Sequence, residues 1–344
     1  FNRIITGVLL EIKDGKMNSG YATDEFQHLD ICFIGDDIAL AQHELNKHSD
    51  WHHLFGTYQQ GRVFRAMMIK AKKAGCRVAV ASEAPCNMLP FPKSIIKELF
   101  ISLVLRYRIS RHVRAADFII NLSGDQSKNL VRVGWPTYKN VACGYYSPPL
   151  VESSFVLRSS QHWNGFTALV TGSHEWHRNP MVVLRAIKLL KQRGLGCKTI
   201  ITQNGSLLAS MRAFASQNGL DVEFVGFVSY ERLIELYQGC SCFVASGRAE
   251  PWGIRVNDAL HCGAPLIVSN GMGAVKLVKD YGCGLSFHNN DPVSLADKLQ
   301  SLILNESLYL QLAGRARVAA QACMPLTRSA LIAAEIQSRF PMWC

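Results

Sequence analysis

Short apolar runs alternate with longer amphipathic segments along the chain, most regularly from residue 166 onward. Apolar runs of this kind predict buried strands, whereas segments with apolar residues at helical spacing predict helices packed on a sheet. The predicted strands are 166–171, 199–202, 222–225, 242–245, 265–269 and 284–287. The predicted helices are 181–192, 207–218, 230–238, 254–262, 274–279, 293–304 and 307–323. Strands separated by helices of this length predict a parallel, doubly wound sheet.

The first half of the chain carries a second α/β pattern. Strands are predicted at 4–12, 29–35, 76–82, 118–122 and 141–144, with a helix at 63–74 that is rich in Ala, Met and Lys. A segment with Pro148, Pro149 and several serines separates the two patterns. We therefore predict an N-terminal domain at 1–147, a linker at 148–164, a C-terminal domain at 165–324 and a tail at 325–344 that returns to the first domain.

Composition agrees with a globular protein of two domains. The chain has 344 residues, of which 48% are hydrophobic and 18% are charged. Its 11 cysteines are scattered and include no CxxC pair of the kind that binds zinc, so we expect reduced thiols in a cytoplasmic protein. The longest relevant apolar run is far too short to cross a bilayer, and no nucleic-acid partner is predicted.

The net charge of +11 is partly concentrated in the segment 93–114, which has six basic residues and one acidic residue. Two interpretations stay open for this segment. It could dock on an anionic membrane surface at the inner face of the plasma membrane, or it could form a core-facing helix with a solvated basic edge.

Two carboxylates flank a turn between the predicted strand 242–245 and the helix 254–262. Glu250 lies on the loop that leaves the strand, and open parallel sheets bind ligands at that edge. Asp258 lies one turn inside the helix on the same face as Ile254, and Arg255 is expected to point away from that face. Backbone N–H groups around Gly253 and Ile254 would face an anion such as a diphosphate.

The order of motifs resembles the second domain of family-4 glycosyltransferases of the GT-B fold. The family's E-x7-E signature appears here within S-G-R-A-E-P-W-G, with Glu250 as the first acid and Asp258 where a second Glu is usual. The family's G-R-x-x-x-x-K-G loop is matched in spacing by GSHEWHRN, in which Gly172 keeps its place, Ser173 replaces Arg and Arg178 replaces Lys. One positive charge is thus missing, and Arg248 and Arg255 lie close enough in sequence to replace it. The stretch VGFV, with Gly226 and Phe227, resembles the strand and loop beside the nucleotide base.

This resemblance implies two Rossmann-like, doubly wound parallel-sheet domains facing a cleft. It implies a retaining glycosyltransferase that uses a nucleotide sugar as donor substrate, without metal or cofactor. Glu250 would contact hydroxyls of the donor sugar, Asp258 would contact the ribose diol, and Arg178 would bind the diphosphate and stabilise the charge of the leaving group. The residues expected at the donor are Gly172, Ser173, Arg178, Gly226, Phe227, Glu250, Pro251, Trp252, Gly253, Ile254 and Asp258, with Glu250 and Arg178 as the catalytic pair.

The acceptor side has weaker motifs. The segments at 82–85 and 144–149 resemble a branch that builds bacterial surface polysaccharides, which implies a glycan or a lipid-linked acceptor. Glu83, at the end of a predicted strand, could orient or deprotonate an acceptor hydroxyl, or it could cap the next segment. Ser19 and Gly20 are the best candidates for an acceptor loop.

Two other functions stay open at this point. A sugar-nucleotide 2-epimerase has the same architecture, and a catalytically degenerate GT-B subunit would bind nucleotide or a partner without turnover. The departures at Ser173 and Asp258 favour the degenerate subunit to some extent. A metal enzyme is not favoured, because His43, Glu44 and His48 miss the HExxH spacing by one residue.

Overall fold

The computed structural model describes residues 43, 47, 52–56, 62–84, 113–142, 144–147 and 155–343. The chain divides into two compact units, of which one comprises residues 1–80 with 111–118 and the other comprises 81–110 with 119–344. Several predicted features lie outside the described residues, namely the strands 4–12 and 29–35, Ser19, Gly20 and nearly all of the segment 93–114. The domain boundaries predicted above stay predictions.

A four-stranded parallel sheet has the order β1-β2-β3-β4. Its strands are β1 (His52–Phe55), β2 (Arg77–Ser82), β3 (Phe118–Asn121) and β4 (Asn140–Ala142). The helices associated with it are α1 (Arg62–Lys73) and the short α2 (Lys128–Arg132). Strands β2, β3 and β4 form where the apolar runs predicted them. Strand β1 was not predicted, because its sequence HHLF contains two histidines and no apolar run.

A six-stranded parallel sheet has the order β10-β9-β8-β5-β6-β7. Its strands are β5 (Thr167–Val170), β6 (Lys198–Thr202), β7 (Val222–Gly226), β8 (Cys242–Ala245), β9 (Leu266–Ser269) and β10 (Gly284–Phe287). All six coincide closely with the predicted apolar runs. The chain runs outward from β5 to β7 and then outward in the opposite direction from β8 to β10. The point where the direction reverses, between β5 and β8, is where sheets of this kind bind ligands.

Helices cover both faces of this sheet. They are α3 (Ser160–Trp163), α4 (Pro180–Gln192), α5 (Leu208–Gln217), α6 (Tyr230–Gly239), α7 (Arg255–His261), α8 (Val275–Tyr281), α9 (Pro292–Leu304) and α10 (Glu306–Ala322). A further helix, α11 (Pro325–Arg339), follows α10. Successive residues of β8 alternate between two buried clusters, with Phe243 in one and Val244 in the other. The clusters are the two layers of core that a doubly wound sheet requires.

The C-terminal segment 325–344 contains a helix, α11, and not only irregular chain. The Arg339 guanidinium donates to the carbonyl oxygens of Tyr138 and Asn140 at 2.8 Å each, so α11 contacts the region of β4. Among the helices of the described residues, none combines the length and apolar character that a bilayer crossing requires.

A buried arginine forms hydrogen bonds to the C-terminal ends of two helices. Arg158, within the predicted linker, is only 6% exposed, and its guanidinium donates five hydrogen bonds of 2.5–3.0 Å to main-chain carbonyls. The acceptors are Tyr237, Gln238 and Cys240 at the end of α6, and Cys262 and Gly263 at the end of α7. A positive charge is favourable there, because the last carbonyls of a helix carry partial negative charge.

Candidate functional site

An open pocket lies where β5 and β8 end. Two loops form most of its wall, 171–179 after β5 and 246–254 after β8, and Met272 closes one side. The charged residues in the wall are Arg178, Glu250 and Arg255. The pocket therefore occupies the reversal point of the sheet and contains both residues that the sequence predicted as the catalytic pair.

The loop 171–179 has a fixed shape. Gly172 has a φ of +123°, a conformation that side chains disfavour, and the space where its Cβ would lie is open. Further along, the Glu175 carboxylate accepts hydrogen bonds from the Ser206 backbone N–H at 3.0 Å and from its hydroxyl at 2.8 Å. The loop ends at Pro180, which begins α4. These restraints hold Arg178 at the pocket wall.

Arg178 and Glu250 form an ion pair between Nη1 and Oε1. Glu250 is only 8% exposed. The Ser246 hydroxyl donates to the Arg178 carbonyl oxygen at 2.9 Å and so joins the two loops. Burial lowers the pKa of Arg178, the charge of Arg255 lowers it further, and the charge of Glu83 opposes both. A guanidinium nevertheless stays protonated at physiological pH, so the pocket retains this positive charge.

Backbone hydrogen bonds fix the position of Glu250. Its N–H donates to the Gly271 carbonyl at 3.1 Å, and its carbonyl accepts from the Gly273 N–H at 3.0 Å. The Trp252 carbonyl accepts from the Ala274 N–H at 3.2 Å. The loop after β8 is thus bonded to the loop after β9, and the carboxylate is presented by a rigid turn.

Trp252 lies in the core and not in the pocket, so the predicted direct contact with a ligand is corrected to a packing role. The indole is 1% exposed, and its Nε1–H donates to the Asn257 Oδ1 at 2.9 Å. The ring packs so closely on Gly124 and Gly144 that a Cβ at either position would overlap it. The adjacent Pro251 is also buried and does not line the pocket.

Asp258 occupies the first turn of α7, is half-buried and is not part of the pocket wall. Burial raises the pKa of this carboxyl to about 6, and the charge of Arg255 opposes the rise. Its charge in turn raises the pKa of the Tyr230 and Tyr237 hydroxyls, in addition to the larger effect of burial. A carboxyl whose pKa is raised in this way, three residues from the wall residue Arg255, is a candidate ligand-binding group.

Arg248 and Arg255 were both close enough in sequence to replace the positive charge that Ser173 lacks. Of the two, Arg255 lines the pocket, and its charge acts on both Asp258 and Arg178. Asp258 is not part of the pocket wall, so the expectation that Arg255 points away from the Asp258 face stays a prediction.

The other predicted residues fall into three groups. Gly172, Ser173, Gly253 and Ile254 line the pocket together with Arg178 and Glu250. Gly226 is the last residue of β7 and Phe227 follows it; neither lines the pocket, and Phe227 is 75% exposed. Ser19 and Gly20 lie outside the described residues.

Glu83, the acceptor-side candidate, follows β2 and accepts a hydrogen bond at Oε1 from the Tyr145 hydroxyl at 2.7 Å. Its negative charge also opposes the lowering of the Arg178 pKa, so the two side chains act on one another electrostatically. The Tyr145 carbonyl oxygen accepts from the Asn257 Nδ2 at 3.3 Å. Asn257 also accepts a hydrogen bond from the Trp252 indole. Glu83 is therefore connected, through Tyr145 and Asn257, to the loop that contains Glu250.

In the portion of the chain with described coordinates, no group of three or more His, Cys, Asp or Glu side chains could hold a metal ion. The expectation that the reaction needs neither metal nor cofactor stays a prediction.

Residues 159–319 match the family model described as Glycosyl transferases group 1. Two curated relatives from Methanocaldococcus jannaschii also match. The uncharacterized glycosyltransferase MJ1178 is 29% identical over 106 residues, which is 30% of either chain. The uncharacterized glycosyltransferase MJ1607 is 26% identical over 130 residues, which is 37% of this chain and 33% of the relative. The matches thus span about a third of these relatives' length.

Solved structures share the fold over most of the chain. Anabaena Alr3699/HepE, crystallised with UDP, superposes with a TM-score of 0.69 at 15% identity and covers 91% of this chain and 88% of its own. A glycosyltransferase from Rickettsia africae superposes with a TM-score of 0.65 at 14% identity and covers 92% and 87%. The fold is GT-B, as the sequence predicted, with one parallel sheet of four strands and one of six.

Proposed function

We propose that this chain, whose residues 159–319 match the group 1 glycosyltransferase family model and whose fold is GT-B, transfers a sugar from a nucleotide-diphosphate donor to a glycan or lipid-linked acceptor. The observation that carries the proposal is the Arg178–Glu250 pair in the pocket between β5 and β8. A nucleotide sugar needs both partners of such a pair, a cation for its diphosphate and a carboxylate for its hydroxyls. Crystal structures of HepE with UDP and UDP-glucose support a donor of this class.

In the proposed mechanism, Arg178 binds the diphosphate and stabilises the negative charge that grows as the nucleotide leaves. Glu250 accepts hydrogen bonds from hydroxyls of the donor sugar, and Asp258 accepts them from the ribose diol. The reaction retains the configuration of the sugar, because the leaving diphosphate takes the proton of the acceptor hydroxyl on the face from which it departs. No metal is required, since protein cations oppose the charge of the leaving group.

Release of nucleoside diphosphate from a panel of nucleotide sugars, with a broad set of acceptors, tests this function. We expect the sugar to be transferred and nucleoside diphosphate to be released, with no exchange of deuterium between the sugar and the solvent. The anomeric configuration of the product tests whether the reaction is retaining. Deuterium exchange without transfer would instead identify a 2-epimerase. Binding of nucleotide sugars without turnover would identify a degenerate subunit, and absence of binding would overturn the donor site itself.

Donor binding should depend on pH through Asp258. The pKa of this carboxyl, about 6, lies above its ordinary value, so the ionised form that accepts hydrogen bonds from the ribose is gained as the pH rises through about 6. We expect the affinity for a nucleotide sugar to increase about five- to tenfold between about pH 5 and pH 7.5 and then to level off. The diester diphosphate of a nucleotide sugar does not titrate there, unlike a terminal phosphate.

Calorimetric titration of the donor across this pH range measures the effect. The Asp258→Asn variant is the control, because it cannot ionise and should give a flat profile at weaker affinity. An equally steep profile in the variant would assign the dependence to another group.

On the acceptor side, we propose that Glu83 orients the acceptor hydroxyl and that the segment 93–114 docks on an anionic membrane surface. The contact of Glu83 with Tyr145 and its effect on Arg178 support the first part. A lipid-linked precursor of a bacterial surface polysaccharide, assembled at the inner face of the plasma membrane, is the proposed acceptor. Failure of the protein to co-sediment with anionic vesicles would remove the docking role.

Tyr145→Phe should impair use of the acceptor without affecting the donor. The substitution removes only the hydroxyl that donates to Glu83, and loss of one hydrogen bond to a carboxylate is expected to lower kcat/KM for the acceptor about 10-fold. Steady-state kinetics with each substrate varied separately measure this split. Tyr146→Phe, at the exposed neighbouring position, is the matched control and should behave as wild type. An equal loss in donor affinity would contradict an acceptor-side role for this contact.

A further inference from the structure

Arg255 places a second guanidinium in the pocket. It is the first residue of α7, it is half-buried, and it lines the pocket beside Gly253 and Ile254. Its side chain also interacts with the Tyr237 hydroxyl, which lies 3.1 Å from the Thr171 hydroxyl at the end of β5. Arg255 therefore faces the loop that carries Arg178.

Two of the three charged residues in the pocket wall are cations, Arg178 and Arg255, and one is an anion, Glu250. Arg178 has Glu250 as its ion-pair partner, but Arg255 forms no ion pair with any residue that the structure describes. Instead the two guanidinium groups repel one another across the pocket, which is one cause of the lowered pKa of Arg178. Two like charges in a partly buried pocket are unfavourable on their own, and an anion that contacts both relieves the repulsion.

The neighbouring arginine does not share this position. The Arg248 guanidinium lies over the Trp176 ring, 4.7 Å from its centroid, and Arg248 is absent from the pocket lining. Ser173, at the other end of the wall, offers only a hydroxyl. Within the described pocket wall, Arg178 and Arg255 are thus the cationic residues.

We propose that Arg255 is a second ligand of the donor diphosphate, so that Arg178 and Arg255 bind the diphosphate between them. The inference rests on the proposed function, because it assigns a further binding residue to the same donor. Arg255 would donate to phosphate oxygens from the α7 side of the pocket, and Arg178 from the loop after β5. A bidentate guanidinium suits a phosphate group, and the arrangement favours a diphosphate over a monophosphate or a nucleoside.

Binding of UDP, GDP, ADP, CDP and dTDP to the purified chain tests this inference, with the matching monophosphate and nucleoside of the best ligand as references. Arg255→Gln should weaken binding of that nucleoside diphosphate about 10- to 100-fold, and binding of the nucleoside by twofold or less. Arg255→Lys keeps the charge and should recover part of the loss. Arg248→Gln, the matched control, should bind as wild type. Thermal unfolding of each variant separates a binding defect from loss of fold.

A second measurement tests whether the charge of Arg255 acts on Asp258. Arg255 is the charge that opposes the raised pKa of Asp258, whereas the Tyr230 and Tyr237 hydroxyls near this carboxyl stay neutral in the same pH range. Arg255→Gln should therefore move the pH midpoint of nucleotide-sugar binding upward.

The outcomes separate the two proposals. Wild-type chain that binds none of the nucleotides overturns the proposed function and this inference together. Wild-type binding that Arg255→Gln leaves unchanged overturns the inference alone. Equal weakening of nucleoside and nucleoside diphosphate would also overturn it, because the loss would then not involve the phosphates.

Discussion

Glu250→Gln is expected to lower the rate of sugar transfer about 100- to 1,000-fold while leaving the fold intact. The amide has nearly the shape of the carboxylate, and the backbone hydrogen bonds of residue 250 do not involve the side chain. What is lost is the negative charge that pairs with Arg178 and that we propose accepts hydrogen bonds from the donor sugar. Because we place Glu250 at the reacting sugar, the defect should appear mainly in kcat.

Initial rates of nucleoside diphosphate release at saturating donor measure this defect. Asp258→Asn is the appropriate comparison, because we place Asp258 at the ribose, away from the bond that breaks. It should raise the KM for the donor about 10-fold and change kcat little. A Glu250→Gln variant that transfers sugar at the wild-type rate would exclude Glu250 from the chemistry.

Arg158→Met is expected to destabilise the protein by about 3–5 kcal/mol, the largest stability loss that we predict. The substitution removes the donors for five carbonyl groups and leaves them buried at the ends of α6 and α7. It also removes the positive charge that favours both helix ends. Arg158→Lys should be destabilising as well, because an ammonium group cannot reproduce the planar set of donors.

Urea unfolding followed by circular dichroism measures the change in the free energy of unfolding. The control is Arg193→Met, since the Arg193 guanidinium contacts Asp297 and Gln300 at the protein surface. Its loss should be below about 1 kcal/mol. Similar losses in the two variants would show that the buried contacts of Arg158 contribute no more than a surface ion pair.

The sequence predicted the six-stranded sheet closely because each of its strands is a separate apolar run between amphipathic helices. The position of Glu250 followed from the same regularity, since open parallel sheets bind ligands at the carboxyl ends of their strands. Arg178 was assigned through the resemblance of its loop to that of the family. The local sequence pattern was sufficient to predict a residue's position wherever that position depends only on the strand or helix that contains the residue.

Trp252 shows where this reasoning fails. The resemblance implied that Trp252 contacts the donor, but its ring packs on Gly124 and Gly144, which lie far earlier in the chain. No local pattern specifies that contact. Arg248 and Arg255 were both close enough in sequence to supply a second cation, but which of them lines the pocket depends on the tertiary structure.

The packing of Trp252 has a consequence for exchanging parts between related enzymes. A chimera joined within 148–164 would keep Trp252 and Asn257 from this chain but take positions 124, 144 and 145 from another. Any residue larger than glycine at 124 or 144 would overlap the Trp252 indole and displace the turn that contains Glu250. Recombinants made at this junction should therefore be active only when the incoming N-terminal portion brings glycine at both positions.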